Sequence, residues 1–290
     1  MIKILFIINP ISGGLDKAKI IKAIPKLLDK EKFDIYIKHT KQAGFAAKIA
    51  NKAVKEDMDI VVAVGGDGTI NEIASQLVNT KTALAIVPCG SGNGLARDLK
   101  IPLNYKNAIQ LINDFELKKI DVGVCNKKHF FSLCGVGFDA KVAYDFNRGK
   151  QRKLLGYAWV ILKDIFKTKN QYFKIELDEE IITGKFFLIT IANSSQWGYN
   201  VKVAPKAKLD DGMLAVNFCK KPSLFSIIPF GIKLLSGKID HSKYVVIKNT
   251  TKISLNSKMK FYYHIDGDAK GVAQQIKVEI LHKALNVIGK

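Results

Sequence analysis

At 290 residues, 48% hydrophobic and 25% charged, the chain is long enough for two domains and too apolar for intrinsic disorder. Forty-six Lys and Arg against 26 Asp and Glu give a formal net charge of +20, which points to anionic partners (nucleotide, nucleic acid or an anionic membrane) unless lysine simply decorates the surface. Four cysteines show neither CxxC nor zinc-ligand spacing, the five histidines have no paired metal spacing, and no apolar stretch approaches a membrane span. The cysteines therefore read as buried, reduced thiols of a cytosolic protein.

Ile2–Ile8 is apolar and predicts a first β-strand rather than a targeting segment. It runs into Asn9-Pro10-Ile11-Ser12-Gly13-Gly14, where Pro10 fixes the exit, Ser12 offers a hydroxyl and the glycines open backbone amides. A helix is expected over Lys17–Leu28, a strand over Phe33–Lys38 and a helix over Ala43–Lys55. The next strand, Ile60–Val64, leads into Gly65-Gly66-Asp67-Gly68-Thr69-Ile70-Asn71-Glu72, with a helix expected after Thr69. Glycines between a strand and a helix let the backbone approach a ligand, and the helix start offers unpaired N–H groups, so this is an address for phosphate. A lone carboxylate there would repel phosphate unless a metal or a proton lies between them. Asp67 thus reads as Mg²⁺-linked or proton-handling. The strand Ala83–Pro88 then closes on Cys89-Gly90-Ser91-Gly92-Asn93, with Asn93 placed to cap the following helix.

Strands alternating with helices predict a parallel, Rossmann-like α/β sheet covered on both faces, with ligands at the carboxyl ends of its strands. All the glycine-rich loops lie at those ends. They match neither GxGxxG nor GxxxxGK[ST], so this is a different phosphate cradle.

Beyond about residue 125 the rhythm changes. Lys128–Val136, Tyr172–Leu177, Lys185–Ala192, Met213–Phe218, Tyr244–Ile247, Lys252–Leu255, Lys260–Ile265 and Gln275–Ile280 read as strands with short turns. They predict an all-β sandwich interrupted by helical segments at Arg152–Lys169 and Ser223–Leu235. The expected domains are 1–124 and 125–290, with room for the C-terminal segment to return to the first domain. Gln151–Lys163 and Phe225–Leu235 combine apolar residues with neighbouring lysines. Each can lie in a headgroup region or pack on the sandwich.

Asn9–Gly13, Gly65–Glu72 (GGDGTINE) and Pro88–Arg97 (PCGSGNGLAR) resemble the diacylglycerol kinase catalytic-domain superfamily of bacterial lipid kinases and sphingosine and ceramide kinases, with NAD kinases and 6-phosphofructokinases as distant relatives. Ala204–Leu214 (APKAKLDDGML) resembles its APxAxxDDGxL segment, and Ile265–Asp268 its late xDGE motif. The resemblance implies a lipid kinase using ATP and Mg²⁺, with ATP in the cleft between an α/β domain and a β-sandwich. Its acceptor would be the hydroxyl of diacylglycerol or a sphingoid base.

It further implies a cytoplasmic protein in peripheral contact with an anionic membrane, with no nucleic-acid partner and a homodimer left open. Asn9, Pro10, Ser12, Gly13, Thr40, Gly65, Gly66, Gly68, Thr69, Asn71, Glu72, Gly90, Ser91 and Asn93 fall to the nucleotide. Asp268 stands where the family has its glutamate base, one methylene shorter, and Asp67 competes for that role. The Asp211 carboxylate with the carbonyls of Lys208 and Met213 would hold Mg²⁺. Trp197-Gly198-Tyr199-Asn200 replaces a glycine triplet common in the family, and Gly94-Leu95 follow Asn93 where bacterial members tend to have Asp-Phe. An NAD kinase-like phosphotransferase and a nucleotide-binding regulator that has lost its base are the other readings.

Overall fold

A computed structural model of the chain describes residues 1–148, 165, 168–199 and 201–289. They form two compact units, Met1–Val122 with His282–Lys290, and Gly123–Leu281.

The first unit holds the strands β1 (Ile2–Ile8), β2 (Phe33–His39), β3 (Ile60–Gly65) and β4 (Ala83–Pro88), joined by the end of the last strand, β14 (Asp268–Ile288). All pair in parallel in the order β14, β4, β3, β1, β2, with Ile4 opposite Ile35 and Ile60, and Val287 opposite Leu84. Every residue of β3 and β4 is buried, as expected of strands covered on both faces, whereas edge strand β2 exposes Tyr36 and Lys38. The covering helices α1 (Lys17–Leu27), α2 (Phe45–Lys55) and α3 (Asp67–Leu77) each bury one stripe: Ile20 and Ile24; Ala46, Ile49 and Ala53; Ile70, Ala74 and Leu77. Two further helices, α4 (Gly94–Asp98) and α5 (Tyr105–Asp114), follow β4. The chain places β2 on one side of β1 and β3 on the other. The winding therefore reverses between β1 and β3, and the loops leaving these strands open a crevice there.

In the second unit, β12 (Val245–Thr250), β11 (Leu214–Cys219), β10 (Leu188–Ala192), β7 (Leu133–Gly137), β13 (Lys252–Ile265) and β14 are successive neighbours. The first part of β13 pairs with β8 (Gln171–Leu177), which carries β9 (Ile181–Phe186). Its last residues pair with β7 after a bulge between Asn256 and Phe261. A bulge lets one strand serve two sheets, and the sandwich closes over Phe173, Phe218, Phe261 and Ile189. Helices α6 (Phe138–Arg148) and α7 (Ile227–Leu235), the strands β5 (Leu117–Cys125) and β6 (Lys128–Phe130), and 3₁₀ turns at Leu224–Ser226 and Ile239–His241 complete the described elements.

Several expected boundaries move. Helix α3 starts at Asp67, so Asp67, Gly68 and Thr69 form its first turn rather than a loop before it. The expected strand Lys128–Val136 is two strands, because the amides of Phe131, Ser132 and Leu133 turn to the Asp266 carboxylate. Lys185–Ala192 also divides, β9 joining β8 and β10 joining β11 and β7, while Lys252–Leu255 and Lys260–Ile265 fuse into β13. Apart from Ile165, Thr168 and Lys169, the segment Arg152–Lys169 lies outside the described residues, as do all of Gln151–Lys163 and Asn200. All four cysteines are buried and free. No helix among the described residues is long and apolar enough to cross a membrane.

Candidate active site

The crevice of the first unit is a cleft of about 330 Å³, lined by Asn9–Ser12 after β1, Thr40–Ala43 after β2, and Gly66–Thr69 with Glu72 at the start of α3. That volume suits a small ligand or cofactor.

Its walls are fixed by the loops themselves. The Asn9 side chain donates from Nδ2 to Thr69 Oγ1 at 2.9 Å and accepts from the Ile11 N–H at 3.2 Å, tying the loop after β1 to the first turn of α3. Ser12 Oγ donates to the Asn9 carbonyl at 3.1 Å. Buried Lys17 folds its ammonium back onto the carbonyls of Ser12, 2.6 Å, and Leu15, 3.1 Å, placing a positive charge behind the loop. Thr40 is buried where β2 ends, its N–H donating to the Ile8 carbonyl at 2.9 Å. Glu72 accepts from the Gly44 N–H at 2.9 Å, linking α3 to the entrance of α2.

The glycines permit backbone-to-backbone packing. Gly13 has φ +61°, and a Cβ there would stand 1.6 Å from the Cys89 carbonyl oxygen. A Cβ on Gly90 would lie 2.7 Å from Gly66 Cα. Gly13 and Gly90 therefore hold the loops after β1, β3 and β4 against one another.

Asp67 joins the last two of these loops. Its Oδ2 accepts from the Asn93 N–H and its Oδ1 from the Gly94 N–H, both at 3.0 Å. Contrary to expectation, the Asn93 side chain does not cap the next helix. Asn93 sits at the N-cap with φ 51° and makes no side-chain cap bond; its Nδ2 donates to the Gly90 carbonyl at 2.8 Å, and the Asp67 carboxylate caps in its place.

Of the expected nucleotide residues, Asn9, Pro10, Ser12, Thr40, Gly66, Gly68, Thr69 and Glu72 line the cleft, together with Asp67. Gly13, Gly65, Asn71, Gly90, Ser91 and Asn93 are not among its lining. Ile11, Lys41, Gln42, Ala43 and Ala46 line it and were not anticipated. The signal for Lys41 was present: a basic residue directly after a strand end, in a sheet whose other strand ends carry phosphate loops.

The second unit places Asp268 beside the β13–β14 turn. Asp266 and Gly267 form this two-residue hairpin with φ 46° and 78°, an Asp-Gly turn of the type that matches strand twist. The Asp266 carboxylate accepts from the amides of Phe131, Ser132 and Leu133 at 2.9–3.0 Å. The Gly267 N–H donates to His264 Nδ1 at 3.3 Å, and buried His264 directs Nε2 toward Asp139 Oδ2, also at 3.3 Å. Asp268 follows the anchored turn with its side chain 64% exposed, and Lys270 Nζ lies 2.6 Å from its Oδ2.

Asp211 lies in an exposed turn, its Oδ1 accepting from the Met213 N–H at 3.0 Å. One carboxylate and the carbonyls of Lys208 and Met213 are hard oxygen donors of the kind that suits a Mg²⁺ keeping several waters. Among the described residues no group of three or more His, Cys, Asp or Glu side chains is placed to hold a metal. The preceding Ala204–Ala207 lines a separate cavity of about 500 Å³ with Asp240, Ile247 and Asn249.

Residues 3–125 match the diacylglycerol kinase catalytic domain, and residues 132–289 the YegS C-terminal NAD kinase beta sandwich-like domain. The chain is 27% identical to a diacylglycerol kinase of Staphylococcus saprophyticus, over 91% of this chain and 88% of that protein. It is 28% identical to a diacylglycerol kinase of Bacillus subtilis, over 92% and 89%. The crystal structure of a diacylglycerol kinase from Bacillus anthracis shares the fold, with a TM-score of 0.79 at 24% identity and coverage of 99% and 97%. Carrying both domains in this order, the chain belongs to the diacylglycerol kinase catalytic-domain family of kinases.

Proposed function

We propose that the protein transfers the γ-phosphoryl group of ATP to a hydroxyl of diacylglycerol or a related lipid such as a sphingoid base. The observation that carries this reading is the cleft at the winding reversal of the first unit, where Asn9 and Thr69 join two glycine-rich loops. The first amides of a helix have no intrahelical acceptor, so the N–H groups of Gly68 and Thr69 suit phosphate oxygens. Ser12 and Thr40 add hydroxyls, and Lys41 adds a positive charge on the cleft wall. Phosphoryl transfer is served by such positioning and charge neutralisation more than by covalent chemistry.

Asp268 is the base in this reading. Its exposed carboxylate takes the proton of the lipid hydroxyl as that oxygen bonds to the γ-phosphorus, and ADP departs with the former bridging oxygen. Asp67 keeps a positioning role, because both of its oxygens accept backbone hydrogen bonds. The anchored Asp266 and Gly267 give Asp268 a fixed turn to act from. Mg²⁺ bound with ATP would supply neutralisation of phosphate charge, and Asp211 with the Lys208 and Met213 carbonyls would hold a separate Mg²⁺ away from the transferred phosphate. The lipid acceptor places the protein at an anionic membrane surface as a peripheral protein.

Labelled ATP, Mg²⁺ and a panel of diacylglycerol, sphingosine, ceramide and NAD test the proposal. Label in diacylglycerol or sphingosine is the expected result. Label only in NAD makes the protein an NAD kinase-like enzyme, and ATP binding without transfer makes it a regulator.

A further inference from the structure

Helix α7 and the turn before it are apolar on two faces. Phe230 and Leu234 face inward and pack against the cluster of Phe138, Leu188 and Ile239. The outward face carries Phe225, 93% exposed, and Ile228, 75% exposed, followed by Ile232 and Leu235. These positions recur at three- and four-residue steps, so they form one stripe along the helix. A surface helix of a globular domain ordinarily turns polar residues outward, and an exposed apolar stripe marks a surface that something covers.

The turn at the head of the stripe is tied by hydrogen bonds. The Tyr244 phenolic oxygen lies 3.2 Å from Ser223 Oγ and 3.0 Å from Ser226 Oγ, and the two serine hydroxyls lie 2.8 Å apart, so the three share hydrogen bonds. This triangle pins the turn that presents Leu224 and Phe225. The surrounding charge has one sign. Between Lys220 and Lys243 the sequence holds Lys220, Lys221, Lys233, Lys238 and Lys243 against a single acid, Asp240, which pairs with Lys206 at 3.0 Å. Two copies of the chain opposed across this stripe would bring lysine against lysine. An anionic lipid surface takes the apolar residues below its headgroups and the ammonium groups at them.

Building on the lipid-acceptor reading, we infer that the outer face of α7, with Phe225 at its tip, is the surface by which the protein docks on an anionic bilayer. Leu224, Phe225, Ile228, Ile232 and Leu235 enter the boundary between headgroups and acyl chains, and Lys220, Lys238 and Lys243 remain among the anionic headgroups.

Co-sedimentation with phosphatidylcholine vesicles, with and without 30 mol% phosphatidylglycerol as an order-of-magnitude choice, tests this with the full chain. The wild type should partition to the anionic vesicles and leave them at high salt. The double variant Phe225→Ser, Ile228→Ser should partition about a hundredfold more weakly. It should keep its melting temperature, because both side chains are exposed. It should also keep its turnover on a short-chain acceptor dissolved in detergent, while losing turnover on vesicles.

Absence of wild-type binding to anionic vesicles overturns the inference, as does equal binding by the double variant. A fall in solution mass on substitution, with vesicle binding unchanged, assigns the stripe to a second copy and also overturns it. Vesicle binding that depends on Phe225 and Ile228, in a protein that phosphorylates no lipid, supports the docking face and sinks the kinase reading instead.

Discussion

The carboxylate of Asp67, in the first turn of one helix, accepts the amide of Gly94, which opens the next, at 3.0 Å. Its second oxygen takes the Asn93 amide at the same distance, so one side chain sets the spacing of two glycine-rich loops. Replacing Asp67 by Asn puts an NH₂ group against an N–H and leaves a partly buried donor unpaired. A loss of about 1–3 kcal/mol in urea unfolding is expected, with ATP affinity falling alongside phosphotransfer. Undiminished ATP binding together with abolished transfer would return Asp67 to the role of base.

Asp268 should behave differently. Asp268→Asn is expected to lower kcat by about 10²–10⁴-fold while ATP affinity and melting temperature hold, since its exposed side chain supports no other element. Asp268→Glu should retain activity, and a large gain would reveal that the shorter acid limits the wild type. Steady-state kinetics on a lipid acceptor, with ATP binding measured separately, distinguishes these outcomes.

Gly13 tolerates no side chain. Alanine there would meet the Cys89 carbonyl while held at φ +61°, so Gly13→Ala should separate the first and third loops and abolish ATP binding. By contrast, Gly14→Ala meets no atom within 4 Å and should bind ATP as the wild type does. Calorimetric titration with ATP checks the pair.

The thiols should be silent in the folded protein. Burial, with the nearby Asp139 charge adding to it, pushes the Cys219 thiol up to about 12, and burial also raises Cys89. Because the thiolate is the nucleophile, an alkylating reagent at pH 8 should modify none of the four cysteines until denaturant is added. Rapid labelling of Cys219 under native conditions would show that the sandwich opens around it.

Much of the first unit was legible because parallel strands announce themselves. Ile60–Val64 and Ala83–Pro88 are unbroken apolar runs, with Gly65 directly after the first and Gly90 two residues past the end of the second. Helix α5 was legible too and went unread: Asn104 caps it through the Lys106 amide, and Ala108, Ile109 and Ile112 mark its buried face. The continuity of β13, whose two halves read as separate strands, was hidden for a physical reason. Ser257–Lys260, polar but for exposed Met259, fills the bulge, and a bulge removes the alternation that periodicity depends on. The role of Asp67 was illegible, because its partners are backbone amides brought near only by the fold. The same holds for Asp266, whose three amide donors belong to Phe131–Leu133.

The last strand gives the first unit a delayed completion. Residues 282–288 of β14 enter its sheet beside β4, and fully buried Asp121 accepts from His282 Nδ1 at 2.8 Å and from the Lys283 amide at 2.6 Å. During synthesis the ribosome makes the whole of Gly123–Leu281 before those residues emerge. Until then β4 waits with an unpaired edge and Asp121 without these partners, and an open strand edge is prone to mispairing. A nonsense mutation after Leu281 would spare every glycine-rich loop and still leave the sheet of the first unit unfinished.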